Sequence, residues 1–534
     1  VASVIGKRVN GRTYYYLAES GRVDGQPRIV AQHYLGTAEE IGAAMSDHET
    51  AAPARAEQLP FGAVAGVWNV IADLGLAQLT DDVVGPTRMH VPVGTYLALA
   101  VLQHVVAPQQ DLASWWSGAG AERIVRPRPP ADALGQDRLG RALDRLEADH
   151  IERLQASLRA RLLEPGSDLL LLDVPQFTTF TNAANDRLWP LGLGLVVTLD
   201  GAIPLLARPY RHDDSTAPTF SELADELAGA LDAPVTVVLD AEQSALVNLK
   251  HRIGRHFVGS LPPSDYPALL AVPASRRQSV DPNQPGLTAF DAHARVSGSE
   301  RRAILIHSTS LQAAHARGLA QDLGQATRRL RDLSAALSRG ELSQSRELLA
   351  AEVSRITRFR WGERVLSTSF SGSLPGSDGL RWRVDTAALS RLHSEHFGKQ
   401  LLVTSHDDWS VQQIITAYRA KYRVESTLRQ WVGPFVAAPS ATWRWSDQRV
   451  AIHSLISVLA TTVTHVMRQR AQQAGLNLSV RDLLDQLAGI EETLVRYRST
   501  GGRPRTRRML TTMDPVQEQL FELFALDSFA PPVS

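Results

Sequence analysis

Two short apolar runs, each ending on an acid, limit the folds open to this chain. Residues 168–173 read DLLLLD and residues 235–240 read VTVVLD. Apolar runs of that length, bounded by polar residues, have the pattern of strands buried on both faces. Between them, LGLGLVVTLD and AIPLLARPY meet at Asp200-Gly201, a hairpin signal. APTFSELADELAGAL follows with the i, i+3, i+4 repeat of an amphipathic helix. A second helix is expected from Ser244, then a strand at HFVGSL. This order predicts a mixed α/β sheet, with the hairpin on one side of the first strand and VTVVLD parallel to it on the other. Right-handed crossovers place the carboxyl ends of parallel strands at one edge, so Asp173 and Asp240 are expected side by side.

That order is the arrangement of a ribonuclease-H-like fold, and a third acid fits it. The stretch DDWSVQQIITAYRAKYRVESTLRQWVGP opens on Ser410-x-x-Gln413, a capping-box start. Its apolar stripe runs Val411, Ile414, Ile415, Tyr418, Tyr422 and on through Val432. Glu425 lies on this stripe, about four turns past Val411. An acid on the sheet-facing line of a helix is costly unless it is paired or holds a cation. Clustered carboxylates repel, and a hard divalent cation resolves the repulsion. Asp173, Asp240 and Glu425 are therefore the candidate catalytic and metal-binding residues. Two Mg²⁺ (or Mn²⁺) ions would there activate water and stabilise the leaving oxygen of a phosphodiester.

The 534 residues carry no cysteine, which excludes disulfides, thiolate metal sites and thiol nucleophiles. The 56 basic residues balance 56 acidic ones. Any nucleic-acid role must therefore rest on local clusters. The beginning of the sequence has no signal-peptide layout, and no apolar run reaches the roughly 18 residues of a membrane span. LISVLATTVTHVM is shorter than that and carries a His. A cytoplasmic, nucleoid-associated chain with no membrane partner is expected.

Along the chain, residues 1–36 form a small β unit, and 37–58 form a short helix and linker. Residues 60–163 are mostly helical. Residues 262–400 read as a separate piece, with a strand at AILIHS, helices over 310–339 and 342–358, and a hairpin around LPGSDG. QLLVTS then rejoins the sheet.

The chain resembles the DDE transposases of bacterial insertion sequences, within the insertion sequence 4 superfamily and its 1634-type group. NGRTYYYLAESGRVDGQPRIVAQHYLG, FGAVAGVWNVIADLGL, HFVGSLPPSDYPALL, HDDWSVQQIITAYRAKYRVES, WRWSDQRVAIHSLISVLA and DLLDQLAGIEE carry the resemblance over nearly the whole length. The family's Tyr-x2-Arg-x3-Glu-x6-Lys signature falls on Tyr418, Lys421, Glu425 and Val432. The resemblance implies Asp173 and Asp240 as the other two metal ligands. It implies metal-dependent DNA cleavage and strand transfer, with double-stranded DNA (element ends and target) as partner and a homodimer on DNA.

The fold class expected is α/β: a ribonuclease-H-like catalytic core interrupted by an insertion domain, with an N-terminal helical domain. Its pieces begin with a β unit and linker (1–55) and a helical end-binding region (56–165). The first segment of the catalytic core (166–261), the insertion (262–399) and the second core segment (400–470) follow. A helical, basic C-terminal region (471–534) completes the chain. The sequence departs from the group at Val174-Pro175-Gln176 after the first acid, Ala241-Glu242 after the second, Ser405 after Thr404, and Val432. These departures keep a second reading open: a transposase-derived protein that binds DNA without cutting it.

VRYRSTGGRPRTRRML holds six arginines and no acid. Arg503, Arg505, Arg507 and Arg508 are candidate phosphate contacts, against the alternative of a solvated loop. Arg423 and Arg429 flank Glu425, as phosphate ligands or as surface ion pairs. Tyr418 and Lys421 join the DNA-binding set through the signature. Trp443 and Trp445 either stack on a base or pack in the core. His393-x-x-His396 has no third ligand nearby and reads as a solvated helix face. Gly192-x-Gly194 lies within a strand run and is no phosphate loop.

Overall fold

The computed structural model describes residues 2–9, 12–23, 26–41, 53–108, 110–118, 120–182, 187–211, 220–231, 234–239, 256–282, 284–296, 298–339, 346–371, 379–431, 447–497 and 506–531. The chain forms two compact units. One takes Val1–Asn69, Ala113–Ala131 and Asp482–Ser534; the other takes Val70–Leu112 and Asp132–Arg481.

In the first unit, β1 (Ala2–Val9), β2 (Arg12–Val23) and β3 (Gln26–Thr37) form an antiparallel sheet. The expected β unit thus has a third strand, at its start. β4 (Pro53–Pro60) was expected to be linker and is a strand instead. PARAEQLP has little intrinsic strand preference. Cross-strand pairing supplies what propensity lacks, as described below for its partners.

The second unit is built on a sheet whose strands come from distant parts of the chain. They are β5 (Leu169–Asn182), β6 (Arg187–Thr198), β7 (Pro204–Arg211), β8 (Val235–Leu239), β9 (Phe257–Leu261), β10 (Gln278–Ser279), β11 (Leu287–Val296) and β12 (Ser299–Ser308). A separate hairpin, β13 (Leu366–Ser371) and β14 (Gly379–Val384), precedes β15 (Lys399–Thr404). Among the described residues the sheet order is β10-β11-β12-β15-β9-β8-β5-β6-β7. β5 pairs parallel with β8, and β8 with β9, while the β6–β7 hairpin lies on the other side of β5. The expected hairpin, parallel neighbour and return of QLLVTS to the sheet are all present.

The stretch expected to be a separate insertion divides between two places. β10, β11 and β12 extend the main sheet through β15, which pairs antiparallel with both β9 and β12. An open edge on β9 would leave a row of backbone donors and acceptors unpaired, and these strands cover it. The rest of the stretch packs on its own: the Thr309–Ser338 and Arg346–Thr357 helices close over β13–β14 around Ala326, Leu330, Val353, Ile356, Leu366 and Leu380.

The β5 pleat decides which residues face which layer. Leu169 and Leu171 point into a cluster with Leu223 and Leu227 of the Phe220–Gly229 helix. Leu170, Leu172, Val238 and Val258 are fully buried on the opposite face. The Val411–Trp431 helix packs across β5, β8 and β9. Thr236, the register partner of Leu170, donates to or accepts from His406 Nε2 at 2.8 Å, so the chain entering this helix lies on that opposite face.

The Asp447–Gln473 helix packs beside the Val411–Trp431 helix and against β7. Its Gln448–Gln473 stretch is long and apolar enough to cross a membrane: an 18-residue window within it has a mean hydropathy of 1.6, and 78% of that window is buried within the protein. Reading the apolar run only as far as Met467 understated its length. Three of its buried hydroxyls are satisfied locally: Thr461, Thr462 and Thr464 hydrogen-bond backbone carbonyls one turn back.

The first unit closes with β16 (Glu491–Tyr497), which pairs with β4 on one side and with β17 (Thr506–Leu510) on the other. Arg503 and Arg505 lie outside the described residues.

Candidate functional site

Asp173 is the last regular residue of the leucine run, opposite Gly194 of β6. By alternation it shares a face with Leu169 and Leu171. It is buried, and Tyr210 of β7 donates its hydroxyl to Asp173 Oδ1 at 2.7 Å. Burial, and then the carboxylate beside it, push the Tyr210 phenol far above its usual range. Gly192 and Gly194 make this contact possible. A Cβ at Gly192 would lie 2.1 Å from the Tyr210 ring, and one at Gly194 would lie 2.6 Å from Leu223. The Gly-x-Gly therefore clears space for a tyrosine and a helix, which explains it without a phosphate.

Asp240 lies outside the described residues. Its strand ends at Leu239, one residue past Val238, which pairs with Leu172. The chain thus leaves β8 level with the end of the leucine run. Ala241, Glu242, Val432, Trp443 and Trp445 also lie outside the described residues, as do the side chains of Val174, Pro175 and Gln176.

Glu425 sits in the last third of the Val411–Trp431 helix. Ser410 and Gln413 close the expected capping box: Gln413 N donates to Ser410 Oγ at 3.2 Å, and Ser410 N to Gln413 Oε1 at 2.9 Å. The buried line of this helix runs Ile414, Ile415, Ala417, Tyr418, Ala420, Lys421, Val424 and Leu428. Tyr422, expected on the stripe, is 50% exposed. At 100° per residue the buried line passes from Tyr418 through Lys421 and Val424, which rotates Tyr422 outward.

Glu425 is at the margin, with its side chain 15% exposed. Arg429 Nη2 lies 3.4 Å from one of its oxygens and Lys421 Nζ 4.0 Å from the other. Lys421 is fully buried, and Tyr418 meets Tyr422 hydroxyl to hydroxyl at 3.2 Å. Asp173 and Glu425 therefore come from opposite faces of the same strands, and any meeting of the two lies past the carboxyl ends of those strands. Among the described residues, no group of three His, Asp or Glu side chains is placed to hold a metal.

A cleft opens beside Glu425, lined by Arg419, Arg423, Arg429, Arg468 and Arg481. Tyr422 lies on its wall. Arg419-x3-Arg423 is readable as one helix face from spacing alone. Arg468 comes from the neighbouring helix and gave no local signal, and Tyr210 likewise was missed.

The basic hairpin holds a different kind of site. Arg508 donates to Glu492 Oε1 at 3.1 Å, and Arg123 donates to Glu492 Oε2 at 2.9 Å. The Glu492 side chain is 3% exposed. Arg123 also donates to the Phe529 carbonyl and lies over the Phe61 ring at 5.6 Å. Arg508, a candidate phosphate contact, is thus engaged by the buried Glu492 carboxylate together with Arg123, both arginines being partly exposed, while Arg507 is exposed on the same strand. Removing a buried partner leaves uncompensated charge. Glu492→Ala is expected to destabilise the first unit by about 3 kcal/mol, read as a lower urea midpoint with an unchanged slope. A shift of under about 0.5 kcal/mol, the size of an ordinary surface substitution, would show that the group is solvated.

No protein-family model matches this chain, and no curated protein matches it. Among solved structures it is similar to the cryo-EM structure of the piggyBac transposase synaptic complex with hairpin DNA. The identity is 10%, covering 81% of this chain and 82% of that one, at a TM-score of 0.30. Likeness at that level carries no argument, so function is argued from this chain's own residues.

Proposed function

We propose that this chain is a transposase-type DNA-cleaving and strand-transfer enzyme of the DDE kind, with a ribonuclease-H-like core. The observation that carries the reading is the parallel β5–β8 pair. Its register, Leu172 to Val238, ends the two strands level with one another, one running into Asp173 and the other ending just before Asp240, and the helix that bears Glu425 packs across the same strands on the other face. Asp173, Asp240 and Glu425 would hold Mg²⁺ or Mn²⁺ there, and an all-oxygen donor set in a chain without cysteine suits those ions. Bound metal would supply an activated water and charge neutralisation at the leaving oxygen. The protein's own part is to aim the carboxylates from rigid elements and to hold the backbone phosphates with arginines. The partners are double-stranded element ends and target DNA, with a homodimer bridging two ends.

The contacts of the two described acids favour a second reading. Tyr210 donates to Asp173, and Glu425 is flanked by Lys421 and Arg429. A protein that binds element ends without cutting them needs no free carboxylates. Incubation with end-containing DNA and Mg²⁺ or Mn²⁺ separates the two. Cleavage that Asp240→Asn abolishes is expected. Salt-sensitive binding with no cleavage in either metal would leave only the second reading.

A further inference from the structure

Three arginines in the cleft beside Glu425 carry charge that no ion pair among the described residues neutralises. Arg419 and Arg423 stand one turn apart on the Val411–Trp431 helix, and Arg468 reaches the same cleft from the Asp447–Gln473 helix. Among the described residues the Arg419 side chain makes one hydrogen bond, to Gln284 Oε1 at 3.3 Å. Arg468 is anchored by the Gly201 carbonyl at 3.1 Å, but its Nε is buried with no partner among the described residues. The Arg423 guanidinium has neither a hydrogen bond nor an ion pair among the described residues; Asp200 acts on it only through its field. Burial, and next the Arg423 charge, pull Arg468 down to about 10, and the same two causes lower Arg419. Like charges held together away from water, with donors left unused, make a site that an anion would complete.

The arrangement also points to the kind of anion. Tyr422 lies on the same wall and is half exposed, although large aromatic rings are usually covered. A cationic groove with an exposed ring beside it is the pairing that single-stranded nucleic acid uses: phosphate on the arginines, base on the aromatic face. A free phosphate would use the arginines and ignore the ring.

We infer that Arg419, Arg423 and Arg468 form a phosphodiester-binding subsite for a single-stranded nucleic-acid segment, whose adjacent base stacks on Tyr422. The choice of nucleic acid extends the reading given above. None of the three arginines is a proposed metal ligand, so the test uses EDTA, where cleavage plays no part.

Binding of a labelled single-stranded oligonucleotide is measured by anisotropy across a salt series, with the full chain. Arg423→Gln combined with Arg468→Gln is expected to weaken binding about tenfold or more. The slope of log affinity against log salt should shrink by roughly 1.4, the loss of two phosphate contacts on a single strand. Tyr422→Ala is expected to cost between about fivefold and a hundredfold, with Tyr422→Phe restoring affinity. Because the double variant relieves repulsion between cations, its melting temperature without ligand should hold or rise, which separates lost contact from lost fold. Unchanged affinity and slope in the double variant would overturn the subsite, as would a weakened affinity explained by a lower melting temperature. Inorganic phosphate competing as well as the oligonucleotide, with Tyr422→Ala silent, would overturn the nucleic-acid assignment. A wild-type protein that binds in this way but never cuts would sink the enzyme reading and leave the subsite standing.

Discussion

Asp173→Asn is expected to lower metal-dependent cleavage about a thousandfold or more, several kcal/mol of lost activation, while DNA binding in EDTA stays within about twofold. Asparagine keeps an oxygen where Tyr210 donates at 2.7 Å, so the hydrogen bond and the buried packing survive and only the charge is removed. Tyr210→Phe is the companion variant. A charged hydrogen bond of this kind contributes about 1.5–3 kcal/mol to stability, so Tyr210→Phe should lower the melting temperature. If Asp173 serves a metal, freeing Oδ1 should also reduce the Mg²⁺ concentration needed for half-maximal cleavage. A Tyr210→Phe protein that loses stability but keeps the same Mg²⁺ requirement would make Asp173 a structural acceptor. Full cleavage by Asp173→Asn would remove this residue from the mechanism.

What was legible in the sequence follows from how local each signal is. LLLLD and VTVVL are buried on both faces, so their strands needed no partner to be read. Asp200-Gly201 marked the β6–β7 hairpin because a turn with Gly201 at φ 76° and Ala202 at φ 54° is a local demand. The capping box fixed the start of the Val411–Trp431 helix for the same reason. Signals that depend on partners were not legible. β4 becomes a strand only through β16, whose pairing spans more than 430 positions of sequence. β11 and β12 join the main sheet only because β15 returns between β9 and β12.

The candidate site divides along the same line. Glu425 and its flanking arginines share one helix and were found by spacing. Tyr210 reaches Asp173 through room left by Gly192, and Arg468 faces Arg423 only because two helices pack together. No window on the chain contains either pair. Tyr422 shows the limit of a stripe read by eye: a drift of one residue over two turns separates a core ring from an exposed one.

Two buried imidazoles, His104 and His465, and the half-buried His453 are expected to make the second unit acid-sensitive. His104, His453 and His465 are held down to about 3, 4 and 4 respectively, in each case first by burial. The His453 ring presses edge-on against His104 at 5.8 Å, and Arg468 adds repulsion at His465. Two carbonyls lie at His465 Nδ1, so that nitrogen carries a proton, and Nε2 faces the Thr427 hydroxyl at 2.9 Å. Unfolded imidazoles titrate near 6.5, above each of these values. Between about pH 6.5 and pH 4 the unfolded chain therefore binds three protons that the folded chain does not. Stability is full above pH 6.5 and falls as pH drops, by roughly 4 kcal/mol per pH unit near pH 5. His307, His315, His396 and His406 are also shifted downward by burial and steepen the fall. The check is a set of urea titrations at pH 7.5, 6.0 and 5.0, a range above the usual carboxylate pKa values. The midpoint should drop steeply with an unchanged slope. His453→Leu should flatten the dependence, since it removes one of the three protons and relieves the charge that His104 would meet. A midpoint that stays level from pH 7.5 to 5.0 would mean that water reaches these rings.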